Sequence, residues 1–170
     1  MTIHDWFNEY DKSHQNKTNK LIHWICIPLI FWSIIALLSL IPSSLLTNIS
    51  DYLHWGTVVI FFGLLFYLRL SFKIFLGMFL FSIIILVDIH YKVYFFDLHQ
   101  YWGFFNFSEL DGNGFLLRKA VFVFIFAWFL QFLGHKIEGK KPSFFKDIQF
   151  LLIGPAWLLG FIYNKINIKY

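Results

Sequence analysis

Charge is scarce in this chain: Asp, Glu, Lys and Arg make up 14% of its 170 residues, where a soluble domain carries nearer a quarter. So little charge excludes a water-soluble globular domain. Cysteine is almost absent too. The single Cys26 lies inside an apolar run with no partner in the chain, so no intrachain disulfide framework exists. No internal repeat, low-complexity linker or composition break divides the chain, and its length suits one compact bundle, read as a single integral membrane domain over 1–170. The formal charge of +4 and pI near 9.1 come from Lys and Arg placed between apolar runs, with no basic face. Nucleic acid is therefore not an expected partner.

What fills the space is apolar bulk. Hydrophobic residues are 58% of the chain, Phe alone accounts for 24 positions, and the mean hydropathy is +0.63. One small aqueous core could not bury that much aromatic surface, but lipid accepts it. Apolar runs at about 21–41, 53–70, 72–87 and 119–134 are each near the length a helix needs to cross hydrocarbon. The expected fold is an all-α, polytopic membrane bundle of about four transmembrane helices. A shorter run at about 150–163, interrupted by Gly154-Pro155, is expected to form an interfacial or re-entrant helix. The mixed segment from Asp88 to Leu117, with the turn signal Asp111-Gly112-Asn113-Gly114, is expected to be an interfacial loop with short helical pieces. About 20 polar residues precede the first run, which is itself too long for a signal-peptide core, so it is expected to be retained.

Positive residues are held on the cytoplasmic side during insertion. With four spans and a cytoplasmic N-terminus, Lys12, Lys17, Lys20, Arg69, Lys73, Lys136, Lys140, Lys141 and Lys146 share that side, against Lys92, Arg118 and Lys119 opposite. The same topology brings His14, His23 and His135 to one face of the membrane.

Those histidines belong to two polar clusters. The first is Tyr10-x3-His14-x4-Asn19-x3-His23-x4-Pro28. Tyr10 and His14 would share a helical face, as would Asn19 and His23. His14 and His23 are nine apart, which puts them on opposite sides of a straight helix. Both can face one site only if the helix breaks between them, and Gln15-Asn16-Lys17-Thr18-Asn19 is rich enough in capping residues to allow it. The second cluster, Trp128-x2-Gln131-x3-His135-x2-Glu138, forms a polar stripe on one face of the fourth run. An isolated histidine at a membrane boundary is often only interfacial, Trp128 fits packing or an interface belt, and Glu138 between Lys136 and Lys140 fits a solvated ion pair. An amide such as Gln131 inside the end of an apolar span needs a partner. Three histidines with amides and a carboxylate on one face point to a metal site, and imidazole favours iron, zinc or copper. His90 in Asp88-x-His90 is a further metal candidate, although four spans would put it on the opposite face. His4, His54 and His99 are the other candidates: His4 falls in a stretch expected to be mobile, and His54 beside Trp55 reads as interfacial.

Tyr10, His14, Asn19, His23 and Pro28, with Trp128, Gln131-Phe132, Gly134-His135, Glu138, Pro142, Asp147 and Gly154-Pro155, resemble the Mpo-type membrane proteins. The resemblance runs from about Tyr10 to Pro155, is weak in the middle, and is most specific over Gln131 to Glu138. The chain departs from the family's usual pattern at Cys26-Ile27-Pro28 and at Pro142-Ser143, and 97–114 looks like an insertion. The resemblance implies an Fe(2+)-dependent α-dioxygenase that uses O2 to shorten 2-hydroxy fatty acids by one carbon, an α-oxidation linked to sphingolipid metabolism. It further implies the endoplasmic reticulum membrane in a eukaryote, or the inner membrane in a bacterium, with the active site facing the cytoplasm. On this reading His14, His23 and His135 hold the metal, while Tyr10, Asn19, Gln131 and Glu138 support them, the last three through the second imidazole nitrogen. Lys17, Lys20 or Lys136 would attract the substrate carboxylate.

Two other classes compete. Membrane desaturases and hydroxylases use di-iron histidine boxes, and seven scattered histidines without a His-His pair argue against them. A non-enzymatic carrier or binding protein for lipid or metal would be expected to hold polar residues near mid-membrane. The centres of the first three runs have almost none.

Overall fold

The computed structural model describes residues 2–91, 112–139 and 144–170, and among these it has seven helices and no strand. They are α1 (Ile3–Asp11), α2 (Lys17–Ser39), α3 (Ser44–Thr47), α4 (Trp55–Leu70), α5 (Phe72–Tyr91), α6 (Gly112–Glu138) and α7 (Phe144–Lys165). Three of them, over Lys17–Ser39, Phe72–His90 and Asn113–Glu138, are long and apolar enough to cross a membrane, and α4 is a shorter apolar helix. Phe62, Leu80 and Ile125 turn outward with 64%, 61% and 62% of their surface exposed, a band of bulk apolar surface that water would penalise and lipid does not. The all-helical membrane bundle expected from composition is the fold observed.

Local chemistry sets the helix ends. Asn16 caps α2, its side chain accepting from the Thr18 and Asn19 amides, so the helix starts a turn before the apolar run. The expected break between His14 and His23 falls there. At the far end of α6, Gly139 takes φ +72, the left-handed conformation that stops a helix just past Glu138. Of the turn signal, Gly112, Asn113 and Gly114 are helical, because α6 begins at Gly112 and runs well ahead of the expected span. The continuous apolar face beyond Phe115 outweighs the weak helix preference of two glycines. Similarly, α7 extends past the 150–163 run at both ends. The expectations for 92–111 and for Lys140 to Ser143 fall outside the described residues.

One pair of helices builds the frame. α2 and α6 pack antiparallel, with His23 against His135 at one end and the Lys119 ammonium over the Trp32 ring further along. The seam is lined by small buried residues, Cys26, Ala36, Ala120 and Ala127, which let the backbones approach closely. α4 returns beside α2, and Gly56 permits that contact, since a Cβ there would lie 2.8 Å from the Ile35 carbonyl oxygen.

The segment expected to be mobile is helical. α1 has a capping box between Thr2 and Asp5 and lays Ile3, Phe7 and Tyr10 onto Ala156, Trp157 and Leu158 of α7. His4 stacks on Tyr170 at 5.6 Å. This docking carries Tyr10 and His14 to the open ends of α2 and α6.

Candidate metal centre

His14 lies in the link after α1, His23 in the second turn of α2 and His135 in the last turn of α6. The fold brings all three together. Their ring centroids are 4.3 Å apart for His14 and His23, 5.2 Å for His14 and His135, and 5.0 Å for His23 and His135. One nitrogen from each lies within 4.8 Å of the others, and the residues are only 2%, 1% and 6% exposed.

Backbone carbonyls fix two of the rings. His14 Nδ1 bonds the Tyr10 carbonyl at 2.7 Å, and His23 Nδ1 bonds the Asn19 carbonyl at 2.9 Å. A carbonyl only accepts, so each Nδ1 carries the proton and each Nε2 presents a bare lone pair. His14 Nε2 is buried without a hydrogen-bond partner, a costly state for a polar atom unless something else takes the lone pair. Burial pushes the His14 imidazole down to about 4, opposed in part by the Tyr10 carbonyl hydrogen bond. It is therefore neutral and ready to coordinate at physiological pH. The donor set fits a divalent transition metal with affinity for nitrogen.

The supporting residues divide into two groups. Tyr10 lies flat against the His14 ring, with centroids 4.1 Å apart and an 8° interplanar angle, and so sets its plane. Gln131 lines the small cavity beside the three imidazoles, together with Trp128, Ile27 and Ile30. Glu138 and the Asn19 side chain act at a remove. The Glu138 carboxylate accepts from the Gln15 and Asn16 backbone amides, both at 2.8 Å, and from Asn19 Nδ2 at 3.1 Å. The expectation that Asn19, Gln131 and Glu138 side chains orient the imidazoles is thus corrected for His14 and His23, whose Nδ1 atoms face main-chain carbonyls instead. Glu138 ties the end of α6 to the link that bears His14. That bond spans more than a hundred residues, and no local spacing could have shown it.

Two other candidates, His90 and Lys20, are engaged elsewhere. His90 lies at the opposite end of the bundle, its ring 4.4 Å from Tyr52, beside a separate cavity lined by Asp51, His54 and Asn113, so it is not brought to the three histidines. α5 is long and apolar enough to cross a membrane, and His90 sits at its far end. Lys20 is not a free cation for substrate, since its ammonium is 3.2 Å from an Asp11 carboxylate oxygen and lies over the Phe161 ring. His99 lies outside the described residues.

Gly134 is a requirement that residue type alone did not explain. A Cβ at this position would come within 2.4 Å of Asn19 Oδ1, and the Asn19 carboxamide is buried and held by Glu138. Gly134→Ala is expected to cost about 1–3 kcal/mol, as overpacking does, and to lower bound metal because Asn19 also supplies the carbonyl for His23. Thermal unfolding in detergent and metal content check it. Wild-type values in both would show that Asn19 can move aside.

The family described as 2-hydroxy-palmitic acid dioxygenase Mpo1-like matches residues 1–166. No curated protein and no solved structure matches the chain.

Proposed function

The chain belongs to the Mpo1-like family of 2-hydroxy-palmitic acid dioxygenases, and from that premise we propose that it is an iron-dependent dioxygenase that shortens 2-hydroxy fatty acids by one carbon. The observation that carries this reading is the buried group of three imidazoles, two with Nε2 bared by backbone hydrogen bonds at Nδ1. His14, His23 and His135 would hold Fe(2+), and three protein ligands leave positions for O2 and substrate oxygens. When bound, iron supplies the activation of O2 that no side chain can provide.

The remaining work belongs to the chain. Tyr10 and the two carbonyls orient the His14 and His23 imidazoles, and Ile27 and Ile30 limit water beside them. A 2-hydroxy fatty acid suits a centre at one end of a membrane bundle. Its acyl chain stays in the bilayer, while its carboxylate and hydroxyl reach the polar end. The bias of Lys and Arg puts this end on the cytoplasmic side. Lys17 and Lys136, both exposed, add positive potential there for an anionic head group.

Purified protein loaded with iron is expected to bind one iron per chain and to consume O2 with 2-hydroxypalmitate, yielding the acid one carbon shorter, but not with palmitate. One bound iron without O2 uptake on any 2-hydroxy acid would favour a metal-binding or carrier protein instead.

A further inference from the structure

The indole nitrogen of Trp128 is shielded from solvent and has no hydrogen-bond partner. An interface-belt tryptophan turns its N–H toward headgroups or water. This one is hidden. Burying a donor with nothing to bond is unfavourable, and in a membrane no solvent makes good the loss. The ring is also held in place, with Phe124 at 6.1 Å and Phe132 at 5.7 Å between centroids. Turning the N–H outward would give up these edge-on and tilted ring contacts.

The same residue lines the cavity beside the three histidines. The cavity measures about 30 Å³, which is room for roughly two water-sized groups. Trp128 and His135 are seven residues apart on α6 and share one face, with Gln131 between them. Trp128 and the three imidazoles line this one cavity, so an occupant of it can touch the indole and the histidines together. An acyl chain offers nothing to an N–H. An oxygen of the acid head group does, and a carboxylate oxygen forms the strongest such bond.

We propose that Trp128 is a substrate-positioning residue whose indole N–H donates to a carboxylate oxygen of the fatty acid bound at the three histidines. This rests on the dioxygenase reading above and adds the group that holds the acid head. The bond accounts for a donor kept dry and rigid. It also removes its cost only when substrate is present, so binding and orientation are coupled.

The test uses the full chain in nanodiscs, with diamagnetic zinc in place of iron and 15N-labelled tryptophan. The Trp128 indole resonance is identified by its disappearance in Trp128→Phe. Saturation with 2-hydroxypalmitate or palmitate is expected to move that resonance downfield, while 1,2-hexadecanediol, which lacks the carboxylate, leaves it in place. In parallel, Trp128→Phe should bind both acids roughly 10-fold or more weakly and the diol unchanged. In the iron enzyme its KM for 2-hydroxypalmitate should rise more than its kcat falls. An unmoved resonance at saturation, or equal weakening of all three ligands in Trp128→Phe, would overturn the assignment and leave Trp128 as packing. A resonance moved by the diol and not by the acids would also overturn it. If wild-type protein binds the acids and moves the resonance yet consumes no O2 when iron-loaded, the dioxygenase reading fails and the carboxylate anchor stands.

Discussion

Alanine at His14, His23 or His135 is expected to reduce iron affinity by well over about 100-fold, because loss of a ligand exceeds the 10 to 100-fold cost typical of an outer partner. Each of the three comes from a different part of the chain, and each is buried within reach of the other two. Two imidazoles alone do not make a tight site in competition with water and cellular ligands. Activity on 2-hydroxy fatty acid should fall below detection in all three variants. His90→Ala provides the contrast, since that ring lies against Tyr52 at the other end of the bundle. It should keep one iron per chain. Metal analysis of the four purified proteins decides the matter: full occupancy in any one of the three, or loss of iron in His90→Ala, removes this cluster as the iron site.

The second large effect is expected at Glu138, and its direction depends on what the carboxylate touches. Both oxygens are acceptors only, Oε1 from the Gln15 amide and Oε2 from the Asn16 amide and Asn19 Nδ2. Glu138→Ala frees the link carrying His14 and is expected to weaken metal binding by roughly 10 to 100-fold while leaving the ligands themselves intact. Glu138→Gln is expected to do little better, because the glutamine amide nitrogen would face N–H donors where an acceptor is needed. A charge-only role, such as an ion pair with a neighbouring lysine, predicts that a high-salt buffer mimics the mutation. The latch predicts that it does not. Isothermal titration with a divalent metal at low and high salt separates the two, and wild-type affinity in Glu138→Gln would show that the latch is dispensable.

Which parts of this arrangement are legible in the sequence follows from the range of the forces involved. Apolar run length sets the membrane helices because the bilayer fixes how long they must be, and Asn16 marks the break between His14 and His23 through a local cap. The polar stripe of Gln131, His135 and Glu138 follows from helical rotation alone. The helix α1 was not legible, because nine residues do not hold a helix without a partner, and that partner, α7, lies at the other end of the chain. For the same reason Glu138 read as a surface ion pair, and Asn19 as a ring-orienting amide. Its main-chain carbonyl does the orienting, and a carbonyl has no signature in residue type. The close approach of Gly134 to Asn19 joins two helices distant in sequence, so the glycine was visible and its reason was not.

The order in which a ribosome delivers these segments has a consequence for biogenesis. Chains emerge from the N-terminus, so His14 and His23 are present early, whereas His135 and the Glu138 latch arrive only after the intervening helices have been made. A half-made chain can offer two imidazoles and no latch, which is a poor trap for metal. If the three histidines hold iron as proposed, metallation would be the closing event of synthesis and would stabilise only chains in which α6 has docked. Truncated products that stop before α6 would remain metal-free and hence redox-silent in the membrane.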